Sequence, residues 1–198
     1  MQKIFDLLID SYIDNHVGIA DSFLSDTLSA QLTSNLISLY SRNLLFSAGI
    51  GNDKDFQQDK SVRGDRIYWL DRKHNDPFEN SFFDQMDLFV SYLNRTCYTG
   101  ITGYEFHYTL YEKGRFYKKH LDQFRNNESR QYSMIMYLNA DWQEKDGGQL
   151  CIHHENFLQT ISPNSGKGIL FKSSELEHEV LVTNKDRMSI TGWLKIGS

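Results

Sequence analysis

The sequence predicts a mainly β fold with flanking helices, an α+β arrangement in which the helices come first. Three observations carry this. Apolar residues recur at helical spacing in the first half, and after about residue 100 short β-rich runs alternate with turn signals. Aromatic residues make up 14% of the chain, which suits a β-rich core. With 198 residues and 39% hydrophobic content the chain can build one ordinary domain. No composition break divides it, so 1–198 is read as one domain, with 1–98 mostly helical support and 99–198 the strand core.

The elements follow in order. Ile4, Leu7, Leu8, Tyr12 and Ile13 predict a first helix. Ser25 or Asp26 can cap a second, with Leu28, Leu32, Leu36 and Tyr40 on one face. Residues 47–65, polar and glycine-containing, read as a loop. RIYWL at 66–70 looks like a short strand, and a third helix after Pro77 carries Phe82, Phe83, Met86, Phe89, Tyr92 and Leu93. Then come GYEFHYTLYE, YSMIMYLN, GGQLCIHH, GKGILF, HEVLVT and RMSITGWLKI, spaced as in a β-sandwich or barrel, with the helices expected on one outer face.

Composition excludes several classes. Lys+Arg is 21 against 26 Asp+Glu, a net charge of −5, which argues against a general nucleic-acid binder. Cys97 and Cys151 make neither a disulfide framework nor a four-thiolate zinc site, and both are read as buried thiols in a reducing compartment. The opening MQKIFDLLIDSYIDNH carries acids through its apolar run, unlike a signal peptide, and no apolar run reaches membrane-span length. A cytoplasmic location is expected.

Of the histidines, His120 in KKHLDQF is the informative one. In an extended chain, residues i and i+2 share a face, so His120 and Asp122 can reach one metal from one strand. His178, opening a late β-rich run, is the best third ligand. Two histidines and a carboxylate make the facial triad of non-haem Fe(II) oxygenases, although zinc takes the same ligands. Arg187 follows nine residues after His178 on a strand. A guanidinium facing a dry interior there awaits an anion such as a carboxylate; facing outward it is an ordinary surface residue. The adjacent His153 and His154 face opposite ways in a strand, and His107 reads as a packed or surface residue.

This order of His-x-Asp, His and Arg resembles the 2-oxoglutarate- and Fe(II)-dependent oxygenases. SVRGDRIYWL, YEKGRFYKKHLD, RQYSMIMYLNADW, GGQL and RMSITGWL resemble more closely the oxygen-sensing prolyl hydroxylases of the EGL-nine type, in their compact bacterial branch. The resemblance covers about residues 60–195 and implies a double-stranded β-helix (jelly-roll) core with N-terminal supporting helices. It implies His120, Asp122 and His178 as Fe(II) ligands and Arg187 as the clamp on 2-oxoglutarate. Tyr111 and Tyr137 match positions bordering the cosubstrate, with Tyr108 an alternative to Tyr111; Leu150, Val180 and Trp193 match its apolar lining, and Thr191 a polar position near the clamp. For a protein substrate it points to the 47–65 loop, Asp65, Trp69 and Arg130, with Asp65 and Arg130 able to pair.

The implied activity is protein prolyl 4-hydroxylation coupled to oxidative decarboxylation of 2-oxoglutarate to succinate, with Fe(II), O2 and ascorbate as reductant, and by analogy a translation factor of the elongation factor Tu type as target. Hydroxylation of a free amino acid or other small molecule, and a non-catalytic 2-oxoglutarate or oxygen sensor, are the alternatives. A nucleic-acid demethylase of the AlkB kind expects a second arginine where this chain has Trp193.

Overall fold

The computed structural model describes residues 1–49, 61–123 and 128–197. In chain order the elements are α1 (Gln2–Asn15), β1 (Val17–Ala20), α2 (Asp26–Ser41), β2 (Phe46–Ser47), β3 (Arg66–Trp69), α3 (Pro77–Thr96), β4 (Gly103–Tyr111), β5 (Tyr117–His120), β6 (Arg130–Tyr137), β7 (Leu150–His153), β8 (Leu158–Ile161), β9 (Gly168–Lys172), β10 (Glu177–Val180) and β11 (Arg187–Lys195). Two short 3-10 turns lie at Arg72–His74 and Glu144–Asp146. No helix among the described residues is long and apolar enough to cross a membrane.

The helices start where the chemistry allows. Ser25 caps α2 by accepting from the Leu28 amide, and Asp76 caps α3 by accepting from the Phe78 and Glu79 amides, with Pro77 at the first helical position. The buried face of α2 is Leu28, Leu32, Leu36 and Leu39, and that of α3 includes Phe82, Phe83, Met86, Phe89 and Leu93. On α1 the buried stripe is Phe5, Leu8 and Ile9, whereas Leu7 and Ile13 face solvent. Phe5 packs on Phe23 and on Phe89 and Tyr92 of α3, and only the stripe on that side finds cover. Cys97 also departs from expectation: it is exposed beyond Leu93, the last buried residue of α3, while Cys151 is buried.

Among the described residues the strands form a seven-stranded sheet, β1-β9-β6-β11-β4-β3-β2, and a four-stranded sheet, β5-β10-β7-β8. All named strand pairs are antiparallel. Alternation along the large sheet sends Phe106, Tyr108, Leu110, Met134, Met136, Ile190 and Leu194 to the helices, where they join the α1, α2 and α3 faces in one core. The intervening residues Tyr111, Ile135, Tyr137, Ile169 and Phe171 face the small sheet and pack with Leu150, Ile152, Ile161 and Val180 in a second core. This is the jelly-roll with helices on one outer face. Strands β1, β2 and β8 carried no signal of their own in the sequence; each is at most four residues long and exists because a neighbour supplies its hydrogen bonds.

Beneath the large sheet, the buried Glu79 meets the Nδ1 of His74 at 2.9 Å and accepts from Asn35, which also donates to the Tyr108 hydroxyl. Burial raises the Glu79 carboxyl above its ordinary value, with His74 working the other way.

Gly192 lies in the middle of β11, the strand bonded to both β4 and β6. A Cβ there would come within 2.1 Å of the Glu105 carbonyl oxygen and 2.2 Å of a Phe106 ring atom. Gly192→Ala is expected to lose about 3 kcal/mol or more in urea unfolding, because backbone in a central pair cannot yield. Gly103→Ala, with nothing within 4 Å, is expected to stay within about 1 kcal/mol of the parent protein.

Candidate active site

The register of the small sheet sets His178 of β10 directly opposite His120 of β5. Their rings lie with centroids 4.3 Å apart. Asp122 stands two residues beyond the end of β5, so the His-x-Asp pair is divided between a strand end and the bend that follows. That bend brings Asp122 Oδ1 to 3.4 Å from His120 Nε2 and Oδ2 to 3.6 Å from His178 Nε2. One ligand atom from each of the three lies within 4.8 Å of the others.

The remaining ring nitrogens are committed. His120 Nδ1 donates to the Lys118 carbonyl at 2.7 Å and His178 Nδ1 to the Leu176 carbonyl at 3.1 Å. A carbonyl only accepts, so Nδ1 carries a proton and Nε2 is the ring atom left, beside Asp122, to ligate a shared cation. Ser133 Oγ donates to Asp122 Oδ2 at 2.6 Å and meets Ser173 Oγ at 2.9 Å. Burial works to raise the Asp122 carboxyl, but His178, His120 and the Ser133 hydrogen bond outweigh it and hold it well below the usual carboxylate range. Burial also lowers the His178 imidazole, against the pull of Asp122. An ionised carboxylate and neutral imidazoles are the states that bind a divalent metal, and three protein ligands leave coordination positions open.

Arg187 lies in the same interior. It stands opposite Tyr111 on β4, and Ser189 stands opposite Tyr137 on β6. Strand alternation puts Arg187, Ser189, Thr191 and Trp193 on one face. Arg187 is 1% exposed, its Nε donates to the Gly148 carbonyl at 2.8 Å, and its guanidinium lies 5.2 Å and 5.0 Å from the Tyr111 and Tyr137 ring centroids. Its Nη2 and the Tyr137 hydroxyl are buried with no hydrogen-bond partner, and no carboxylate pairs with Arg187 among the described residues. A buried guanidinium with a free donor beside a free hydroxyl fits a carboxylate, which would satisfy both. Leu150 and Val180 join Tyr111 and Tyr137 in the inter-sheet core beside it. Tyr108 is on the opposite face, bound to Asn35, so the choice falls on Tyr111. Trp193 is buried, and Thr191 is half-buried with its hydroxyl 3.3 Å from that of Ser189.

Trp69, 39% exposed, meets the buried His107 edge-on at 5.0 Å, and His107 lies 5.7 Å from Trp193. The Arg130 guanidinium covers Trp193 at 3.4 Å and donates to Glu105, which Lys195 also holds. The expected pairing of Asp65 with Arg130 is therefore not what the structure has. Asp65 is buried and both its oxygens are taken by Arg63, at 2.8 and 2.6 Å. Arg63 stands two residues away, while the adjacent Arg66 pairs with Glu112. That opposite-charge spacing was a signal available in VRGD. Of the loop expected at 47–65, residues 50–60 lie outside the described residues; Ser47 pairs with Arg66, and the Ala48 amide donates to the Asp65 carbonyl. Arg63, Tyr117, Ser133 and Ser173 are site neighbours that sequence reasoning missed; the serines carried no signal, Ser133 being an ordinary strand residue and Ser173 an ordinary turn residue. His153 pairs with Glu179 at 2.9 Å and His154 stacks on Phe157, separately, as their alternation requires.

Residues 106–195 match the 2OG-Fe(II) oxygenase superfamily. A PKHD-type hydroxylase of Acaryochloris marina is 27% identical over 89 residues, 44% of this chain and 40% of that protein, so the match spans less than half the length of the curated relative. A prolyl-4-hydroxylase from Pseudomonas putida superposes with a TM-score of 0.88 at 28% identity, covering 98% of this chain and 100% of that one. A prolyl hydroxylase from Trichoplax adhaerens, solved with a hypoxia inducible factor peptide fragment, superposes with a TM-score of 0.87 at 23% identity, covering 98% and 90%. The segment holding the triad and Arg187 matches the 2OG-Fe(II) oxygenase superfamily that the motifs resemble, and the chain has the fold of the prolyl hydroxylases.

The buried histidines make stability depend on pH. Burial lowers His107 from 6.5 to about 4. Its folded value lies below its unfolded one, so its contribution is complete above about pH 6.5 and is lost as pH falls toward 4. That loss is on the order of 3 kcal/mol. Urea unfolding of the metal-free protein across this range should show it, and His107→Gln should flatten the slope.

Proposed function

We propose that this chain, acting as one domain over residues 1–198, is a 2-oxoglutarate- and Fe(II)-dependent protein prolyl 4-hydroxylase. The observation that carries the reading is the buried Arg187 donor and Tyr137 hydroxyl, both without partners, in the same inter-sheet space as His120, Asp122 and His178. Those three would hold Fe(II); Arg187 and Tyr137 would hold the distal carboxylate of 2-oxoglutarate. When bound, the metal, 2-oxoglutarate and O2 supply the oxidising chemistry that hydroxylates a C–H bond, with succinate and carbon dioxide as coproducts.

The chain's own share is geometry and exclusion of water. Gly148 aims the Arg187 guanidinium through its carbonyl, so the clamp is set before a ligand arrives. Leu150, Val180 and the rings of Tyr111 and Tyr137 keep that end of the site apolar. Trp69, half-exposed beside Trp193, and the Arg130–Glu105 pair are the surface a peptide would meet. The likeness to the Pseudomonas prolyl-4-hydroxylase supports a prolyl substrate, and the peptide bound by the Trichoplax relative supports a protein one. Ascorbate as reductant, a cytoplasmic location and an oxygen-sensing role complete the reading, with a GTPase of the elongation factor Tu type as the first protein to test.

The test is a mass-spectrometric search of host lysate treated with protein, Fe(II), ascorbate and 2-oxoglutarate in air. Peptides gaining one oxygen on proline with the parent protein, and none with His178→Ala, are expected. Hydroxylation of other residues would overturn the prolyl assignment; succinate without a protein product would favour a small-molecule substrate. Arg187→Ala is expected to weaken 2-oxoglutarate binding by roughly 2–4 kcal/mol in calorimetry while leaving the metal ligands in place. Trp69→Ala should lower peptide turnover at least tenfold on the scale of a lost aromatic anchor, with 2-oxoglutarate affinity unchanged.

A further inference from the structure

We propose that Tyr117 is a positioning residue for the metal ligand His120, and that Arg63, fixed by Asp65, holds Tyr117 against it. The inference rests on the reading of His120, Asp122 and His178 as metal ligands, and not on what the protein hydroxylates.

The geometry is a stack. The Tyr117 ring lies on the His120 imidazole with centroids 3.6 Å apart and planes within 16°. His120 thus has Tyr117 on one side and the His178 ring 4.3 Å away. With the imidazole covering one face of Tyr117 at contact distance, the guanidinium of Arg63, 4.3 Å from the ring centroid, must take the other. Arg63 Nη1 also reaches the Tyr117 hydroxyl at 3.4 Å and the Gly49 carbonyl at 3.1 Å. The Arg63 end is rigid, because its two-point bond to the buried Asp65 fixes the plane of the fork.

His120 needs this support because its own strand gives little. Strand β5 has four residues and is the edge of the small sheet, with a register irregularity between His178 and Val180 where it pairs with β10. The Nδ1 bond of His120 runs to Lys118 of the same strand, so it turns with the strand and cannot anchor it. The outer flank of β5 is instead laid along residues 62–64: Lys118 N donates to the Val62 carbonyl, Gly64 N donates to the Phe116 carbonyl, and Arg63 bridges Tyr117. Side chain and backbone therefore tie the ligand-bearing strand to the Arg63–Asp65 segment. Asp65 has a second consequence. It neutralises Arg63, so a cation can cap the stack without adding net positive charge beside a divalent metal.

The test uses Mn(II) in place of Fe(II), titrated into metal-free full-length protein and followed by electron paramagnetic resonance, with no turnover required. Tyr117→Leu, which removes the planar ring, is expected to bind Mn(II) about 10–100-fold more weakly, the usual cost of losing a residue that orients a metal ligand. Tyr117→Phe keeps the ring and should stay within about twofold, since the hydroxyl makes only the long contact to Arg63. Arg63→Lys keeps the charge but loses the fork, and should weaken Mn(II) about threefold or more. If Tyr117→Leu does not fold, the Arg63→Lys and Tyr117→Phe pair decides the matter. Mn(II) affinities within twofold of the parent protein in Tyr117→Leu or Arg63→Lys would overturn the inference, whatever their melting temperatures. A parent protein that binds no Mn(II) would overturn the ligand reading itself, and this inference with it.

Discussion

The antiparallel pairing that sets His178 opposite His120 is the constraint on which the rest of the site depends. Two imidazoles facing each other across neighbouring strands, with Nδ1 of each tied to a backbone carbonyl, leave two Nε2 atoms converging on one point. That convergence suits a cation, and the bend after β5 brings the Asp122 carboxylate in as the third, negatively charged donor. Ser133 reaches the carboxylate from the large sheet, with Ser173 behind it, so both sheets are drawn into one centre. A one-residue slip of β5 against β10 would turn His120 to the opposite face and dismantle the site.

The second organising feature is an electrostatic debt kept in the core. A guanidinium buried to 1% exposure with an unsatisfied donor is costly. The fold carries it because Arg187 is built into β11, which is bonded along its length to β4 and β6 and cannot retreat from the interior. The apolar surround raises the cost and, for the same reason, strengthens any interaction with an incoming carboxylate. The two charged ends of the site differ in kind: Asp122 is already partnered by histidines and a serine, whereas Arg187 still has a donor free. The first suits a cation and the second an anion.

Much of this was legible in the chain. The His-x-Asp spacing, the late histidine and the arginine nine residues after it named the four central residues, since alternation along strands limits which side chains share a face. The three helices were legible because apolar spacing is local, as are the Ser25 cap of α2 and Pro77 at the start of α3. Strands β1, β2 and β8 were not, and neither was the exposure of Cys97, Leu7 and Ile13. Short strands and single exposed positions are decided by which neighbour arrives, and local propensity carries no record of it.

The chain by itself determined the fold class, the metal-binding triad candidates and the basic residue beside them, because those rest on residue type and on periods of two and 3.6. Only the tertiary structure decided who pairs with whom. It gave Asp65 to Arg63 and Arg130 to Glu105, chose Tyr111 over Tyr108 for the interior, and stacked Tyr117 on His120. The physical reason is range. Charge pairing and ring stacking act over a few ångströms between side chains that the register of two sheets, and not their order in the chain, brings together.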